Sequence, residues 1–499
     1  MPLSHPVYHE ITYLQQRGYL KQLHPTALPY KNGELGEAIK ALQNKAINFT
    51  SAEKAAIGRI ENYVAHFLGN GEQGDQVKAG WRISAGVKAA NTGRMDVLRP
   101  LNDGKVWPDG AVMGNIAYKN WIGQAHLTFD RYYDTDPDGL DVARRLYTRS
   151  EHSYLGYSSP FVDLYVGRLQ NHWGNYGGSG VLLSSNPRAM DQVNLRIGTS
   201  KFSLRFVAAE LDNLAPDGTF TADESRFGPG SVRRYLYLHR FDWRPNPHLL
   251  FSLMEGVLYS AENGGPSLTY ANPFHFAGFV TDNNPKNYEN NLLVGGSVWA
   301  YWNGWTLEGQ LMLDDFTYED RAFFKEQEDL EPISAALTGS VSYSKLHPAW
   351  IVGARMDLVT SQAYRTDQKE GQWSYAQRGL AFNHSDFAHL QLYAKWRMDK
   401  QVPGLQITPK LDYLEQGEGD FRLPLDTDSG PVIGVGTAEK TLRPGFELFY
   451  RSPYNIWVKL DWGISQVTNN GHVAGLDETQ MIGMVHAGFS WGGVRNYGD

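Results

Sequence analysis

The residues of this chain with most chemical capability are carboxylates, arginines and aromatic rings, and their spacing limits what each can do. Asp134, Asp136, Asp138 and Gly139 match the first half of a calcium loop, but the twelfth position is Arg145, where a bidentate Glu is required. A helix-flanked calcium hand is therefore excluded. A looser calcium site is the weak alternative to a solvated acidic loop, and no other cofactor is expected. Glu255 with the pair Asp314 and Asp315 invites a glycosidase reading, in which two carboxylates flank a sugar bond. Adjacent Asp residues on a strand face opposite sides, however, and cannot both line one site. With 15 scattered His and no nucleophile elbow or metal-binding helix motif, the chain is not expected to be an enzyme.

Binding is the better use of these groups. Polysaccharides are held by aromatic faces against the apolar side of sugar rings and by planar polar groups on hydroxyls. Trp107, Tyr154, Tyr157 and the run Gln372, Trp373, Ser374, Tyr375 are the candidates, with the plainer reading that loop aromatics pack loops together. The stretch Val166–Ile197 fits no simple element. It carries Arg168, Trp173, Asn186 and Arg188, with Gly177, Gly178 and Gly180 permitting turns that a strand would not. These four residues either contact a ligand or form a buried polar network that seals the molecule, and the seal is the expectation.

What could position them follows from composition and periodicity. Aromatics make up 13% of 499 residues and Gly contributes 52, yet mean hydropathy is only -0.44. A membrane barrel gives this mixture, because half of each strand faces a polar lumen while aromatic girdles mark both interfaces. No run approaches the roughly 18 apolar residues of a spanning helix. Cys is absent, so disulfides, thiolate metal sites and Cys nucleophiles are excluded. A net charge of -8 argues against nucleic acid as a partner. Met1 to His5 do not read as a signal peptide, and a start Met in place of one is expected.

Residues 6–69 read as about three helices. The first has Val7, Ile11 and Leu14 on one face and the second covers roughly Glu34 to Lys45, while the third opens on a capping pair, Thr50 and Glu53. From Gly80 the period changes to two. In one run Trp305, Leu307, Gly309, Leu311 and Leu313 alternate with Thr306, Glu308, Gln310, Met312 and Asp314. Such runs have about the 9–11 residues needed to cross a bilayer at a tilt, longer than usual sandwich strands. Short connections, such as Lys119–Asn120 and Asn303–Gly304, alternate with long ones, such as 132–158 and 361–386. The tally is about 17 strands where bacterial barrels have an even number. The missing strand is expected at Gly178–Ser185, which brings the total to about 18.

Three blocks of residues stand in a recognisable order. The first is His5, Pro6, Val7, Tyr8, Ile11, Leu14, Gly18 and Leu20. The second runs through Gly167, Arg168, Trp173 and Gly174, then Leu183, Ser185, Asn186 and Arg188. The third holds His239, Arg240 and Trp243, followed by Glu255 to Tyr259, Asn272 with Pro273, and Asp314, Asp315 and Phe316. In this order the chain resembles the Wzi family of outer-membrane capsule-assembly proteins over nearly its whole length. The family's signal peptide is expected to have been replaced by the start Met, and the chain ends on Tyr497, Gly498 and Asp499 where a terminal aromatic is usual.

The resemblance implies a mainly β transmembrane antiparallel barrel of about 18 strands with a small periplasmic α-helical domain. The division is expected at 1–78 for the helices and 79–499 for the barrel and its extracellular loops. It further implies a non-enzymatic lectin of the Gram-negative outer membrane that anchors exported capsular polysaccharide. The chain is expected to be a monomer within outer-membrane lipid and lipopolysaccharide. Trp107, Tyr154, Tyr157, Trp373 and Tyr375 are then the expected sugar contacts, and Arg168, Trp173, Asn186, Arg188, His239 and Arg240 the signature residues that bind or seal. Arginines of a lumen typically pair with carboxylates such as Glu308 or Asp314. The competing reading is a porin or sugar-selective channel, with Lys395, Arg397 and Glu308 setting selectivity. A soluble β-rich hydrolase is the third.

Overall fold

The computed structural model describes residues 3–68, 76–101, 103–139, 148–221, 224–262, 264–277, 289–314, 334–424, 432–452 and 454–497. Eighteen antiparallel strands close into one barrel, the first, Val77–Ala90, pairing along its length with the last, Glu478–Tyr497. Tight turns join strands at one mouth. At Asn303–Gly304 both residues have positive φ, 47° and 91°, as the turn that matches strand twist demands. Longer connections, among them 170–189 and 360–386, leave from the other mouth.

The missing strand is not where the sequence places it. Gly178–Ser185 forms no strand; Val181, Leu182 and Leu183 lie fully buried inside the barrel. Parity is restored instead within 148–158, read from the sequence as part of a long loop. There Thr148–Ser150 and Tyr154–Ser158 both pair with Trp121–Asp130. Gln124 faces Tyr154 and Leu127 faces Ser150, so three residues, Glu151–Ser153, oppose two. That bulge breaks the alternation and hides the strand.

Alternation elsewhere sends apolar side chains outward. Ile83, Ile116, Leu155 and Leu311 are 43–58% exposed on the outer wall, a surface suited to lipid and not to water. Near the tight turns this face carries aromatics, including Trp121 against Tyr157, Trp243 against Phe251 and Trp350 stacked on Trp396 at 5.3 Å.

The inward face is not simply charged. Val181–Leu183 pack with Trp173, Leu236, Leu238, Met254, Leu293, Met312 and Trp373 into an apolar core within the lumen.

Three helices, α1 (Val7–Gln16), α2 (Asn32–Gln43) and α3 (Ser51–Leu68), sit at the tight-turn mouth. The capping box forms at α3: Thr50 N–H donates to Glu53 Oε2 (2.8 Å) and Glu53 N–H to Thr50 Oγ1 (3.3 Å). Glu10 of α1 meets Arg59 of α3 (2.6 Å) and Arg397 of the barrel (2.8 Å), while Asp399 meets both arginines (3.0 Å each). Burial alone raises the Glu10 pKa, but Arg397 and Arg59 outweigh it and bring it to about 2. This four-charge cluster fastens the helices to the barrel rim.

Candidate functional site

Between α1 and α2 the chain enters the lumen. Leu28 and His172 exchange backbone hydrogen bonds of 2.9 and 3.0 Å, and Tyr8 stacks on Tyr176 at 4.9 Å. The descending segment 170–189 thus meets the N-terminal segment within the barrel. Its lower end hangs on the wall through Glu308, which accepts hydrogen bonds from Asn175 N (3.1 Å) and Asn175 Nδ2.

Its upper end is knitted to 360–386. Ser184 N donates to Leu380 O (2.8 Å), Leu380 N to Trp373 O (3.0 Å), Trp373 Nε1 to Leu182 O (3.0 Å) and Tyr364 OH to Val181 O (2.6 Å). Gly180 is required at this crossing, since a Cβ there would lie 2.4 Å from Leu183 O. Asp314 is fully buried and accepts from Tyr364 N (2.6 Å).

One strand, Val232–Asn246, pins four segments by alternation alone. Facing inward, Arg234 donates to Glu370 O (2.8 Å) and pairs with Asp212 (3.1 Å). Also inward, Arg240 pairs with Asp242 (2.8 Å) and donates to Thr26 O (2.7 Å). His24 approaches Asp242 at 3.1 Å, yet burial outweighs that carboxylate and lowers its pKa to about 3, so the imidazole is neutral at pH 7. Facing outward, His239 meets Glu255 (3.0 Å) and the carbonyl of Asn272 (3.3 Å), holding 264–277 against the outer wall. Glu255 and Asp314 therefore lie on opposite faces of the barrel wall and share no site; Asp315 and Phe316 lie outside the described residues.

The other expected site residues are placed as follows. Trp107 is 2% exposed, edge-on to Tyr132, and donates to Thr135 Oγ1 (2.8 Å). Trp373 is 1% exposed in the lumen core. Tyr154 and Tyr157 belong to a barrel strand near the tight turns, Tyr157 outward against Trp121 and Tyr154 inward with its hydroxyl 3.5 Å from Gln124 Oε1. None of these four presents a ring from an outer loop, which corrects the sequence expectation. Tyr375 accepts a hydrogen bond from Arg168 Nη2 (2.9 Å), and Arg168 also donates to Ala189 O (3.1 Å). Arg188 stacks over Tyr133 at 3.6 Å, and Trp173 is 3% exposed beneath Arg240. Neither Arg168 nor Arg188 reaches Glu308 or Asp314. Asn186 joins the two plug segments, donating to Gly379 O (2.8 Å) and accepting from Arg378 Nη1 (3.1 Å).

Guanidinium groups occupy the acidic loop. Asp136 takes two bonds from Arg378 (2.6 and 2.7 Å), Asp138 pairs with Arg94 (3.0 Å) and Asp134 faces Arg131 (4.0 Å). A calcium ion there would have to displace these pairs. Among the described residues no group of three His, Asp or Glu is placed to hold a metal.

Above the knitted plug lies a polar cavity of about 310 Å³. Segment 179–186 and Asn383–His384 contribute to its lining, Asp96 and Arg99 enter from 91–101, and Arg355, Asp357 and His389 come from the barrel wall. Of the residues expected from sequence to bind or seal, Asn186 is the one in this lining. Arg355 and Asp357 pair at 2.9 Å, Asp96 and Arg99 at 3.2 Å. Sequence reasoning missed Arg99, Arg355, Asp357, His384 and His389. Arg355, Asp357 and His389 sit on the polar face of alternating strands, but only barrel closure aims them at one volume.

Wzi of Escherichia coli, an outer-membrane protein involved in group 1 capsule assembly and a carbohydrate-binding β-barrel, matches with a TM-score of 0.64, each chain covered over 97%. The chain has the Wzi fold. Identity to Wzi is 11%, so the likeness is one of architecture. Pseudomonas aeruginosa OpdO matches at a TM-score of 0.48 and 12% identity, over 84% of this chain and 97% of that one. OccK8 (OprE) of the same organism matches at 0.47 and 10%, over 84% and 98%. No protein-family model matches the sequence, and no curated protein matches it by sequence.

Proposed function

We propose that this protein is a non-enzymatic barrel of the Gram-negative outer membrane that holds exported capsular polysaccharide at the cell surface. Residues 1–78 lie in the periplasm, and 79–499 form the barrel and the loops that face outward. The barrel works as a monomer, with lipid and lipopolysaccharide around its apolar wall. The observation that carries this reading is the polar cavity resting on the knitted plug, a site that can hold sugar hydroxyls. The Wzi fold, seen in a carbohydrate-binding barrel, supports it.

A porin would present its selectivity residues to water. Here Arg397 is bridged to Glu10 and Asp399, Lys395 donates to Gln16 Oε1 (3.4 Å) and Glu308 receives Asn175. The three groups of the channel reading are engaged by the plug and the helices.

Ser185 is an exposed member of the cavity lining. Passed in detergent over immobilised bacterial capsular polysaccharides, the protein is expected to retain at least one, and Ser185→Trp to lower that retention about tenfold by filling the cavity. Retention of none, or equal retention by Ser185→Trp, would remove the reading.

A further inference from the structure

At the tight-turn mouth a small pocket opens through the barrel wall. Pairing between Ile456–Thr468 and the last strand, Glu478–Tyr497, stops at Ile456 opposite Phe489, with Ser490 N donating to Asn455 O (3.1 Å). From Trp491 to Tyr497 the last strand pairs with Val77–Ala90 on one side. On its other side, among the described residues, no strand continues the ladder. Asn62 and Tyr63 of α3 reach this gap, and the pocket in it is lined from both faces of the wall. Arg82, Arg451 and Ser490 come from the inward face, and exposed Trp81 and Trp491, edge-on at 4.7 Å, from the outward one. Gly492 and Gly493 put no side chain between them; a Cβ on Gly492 would lie 2.4 Å from Trp81 O.

The charges of this pocket are positive, and one of them is unmet. Arg451 is 8% exposed, and among the described residues its guanidinium makes no hydrogen bond and no ion pair. Nη1 is enclosed by protein, which leaves Nε and Nη2 to meet a ligand. Arg82 donates from Nη2 to Ser490 Oγ (2.8 Å). His5 accepts from Val7 N at Nδ1 (3.1 Å), so the ring hydrogen sits on Nε2. Burial first, then Arg82 and Arg451, hold its pKa well below the usual range, so it adds a neutral donor to the lining. No carboxylate lines the pocket. The carboxylates of the adjoining rim cluster, Glu10 and Asp399, are matched by Arg59 and Arg397, two charges of each sign without Arg451. A buried guanidinium without an acceptor is unfavourable, and an anion from outside the chain would complete it.

We propose that this notch seats the phosphodiester of an anionic phospholipid, with Arg451 and Arg82 on the phosphate oxygens and the acyl chains lying along the outer wall past Trp81 and Trp491. The ligand is amphiphilic because the lining is: cations on the inner side, indole rings at the membrane edge where headgroups lie. The volume is about 30 Å³. Since a single water needs ~10–15 Å³, that admits the oxygens of a phosphate and not a sugar ring. Phosphate takes charge-assisted bonds from guanidinium forks, whereas an ammonium headgroup finds no carboxylate here. A net-negative lipid is therefore preferred over a zwitterionic one with the same chains. The site is separate from the cavity above the plug and does not rest on the polysaccharide reading.

The test titrates the full chain, in a polyoxyethylene detergent, with dioctanoyl phosphatidylglycerol, dioctanoyl phosphatidylcholine and inorganic phosphate, reading heat by calorimetry. Phosphatidylglycerol is expected to bind about tenfold more tightly than the other two, and Arg451→Gln to bring its Kd to that of phosphatidylcholine. Because Arg451 has no partner to lose, Arg451→Gln without lipid is expected to unfold at the same urea concentration as the wild type, which a structural role would not allow. Should that variant fail to fold, Gly493→Leu decides. It keeps every charge, its Cβ comes no nearer than 3.6 Å to the Trp81 ring, and by filling the notch it is expected to lose the same binding. Equal affinity for the two lipids, or undiminished phosphatidylglycerol binding in the variants, overturns the proposal. Inorganic phosphate bound as tightly as phosphatidylglycerol overturns it too, since that marks a site for a free anion.

Discussion

Replacing Arg240 with methionine is expected to destabilise the folded protein by about 3–5 kcal/mol, the usual cost of removing one partner from a buried ion pair. Arg240 has no exposed surface. Its Nε meets Asp242 at 2.8 Å, and its remaining nitrogens reach Thr26 O (2.7 Å), Thr26 Oγ1 (2.6 Å) and Ser252 Oγ (2.9 Å). Methionine keeps much of the stem but supplies no donor, so the Thr26 carbonyl loses its bond from Arg240 inside the lumen. Arg205 remains 3.0 Å from Asp242, while His24 is neutral at pH 7 and contributes no compensating charge. The segment that threads the helices into the barrel is then held less tightly. Urea unfolding in detergent measures the loss, and protease cutting between α1 and α2 locates it. A change under about 1 kcal/mol, the size of an ordinary substitution, would show that this network does not hold the plug.

Trp373→Ala is the second large effect, expected at about 3–5 kcal/mol as for other buried aromatic truncations. The indole donates to Leu182 O (3.0 Å) and packs so closely on Gly256 that a Cβ there would come within 2.6 Å of the ring. Truncation opens a void where the two plug segments meet and leaves the Leu182 carbonyl without this donor. From sequence Trp373 was expected to meet sugar directly. Lost glycan retention in Trp373→Ala at unchanged stability would restore that role; lost stability at pH 7 is the outcome its burial predicts.

Much of the barrel was legible because alternation is a strong local signal. Trp305–Asp314 reads correctly residue by residue, and period two alone puts His239 and Arg240 on opposite sides of the wall. The strand at 148–158 was hidden by its three-against-two bulge. Val181–Leu183 misled for a different reason: a short apolar run bounded by turn residues looks the same whether it is a buried strand or a loop packed inside a barrel. The aromatic candidates were read as loop residues, whereas Trp107, Tyr154 and Tyr157 lie in barrel strands and Trp373 is buried where the two plug segments meet. The cavity was not legible, since Arg99, Asn186, Arg355 and His384 come together only once strand order and the descent of 170–189 are known. Asn186 was found through its place in the resemblance, without a sign of which partner it would take.

The central claim is that the lumen is closed and the protein holds polysaccharide instead of passing it. Planar-bilayer recording on the full chain tests this most directly. With Val181–Leu183 and Trp373 packed inside the lumen and the helices tied to the tight-turn rim, the protein is expected to insert without a steady conductance above the bare membrane. A stable, ohmic channel from the intact protein would contradict the closed lumen and place the chain among the porins.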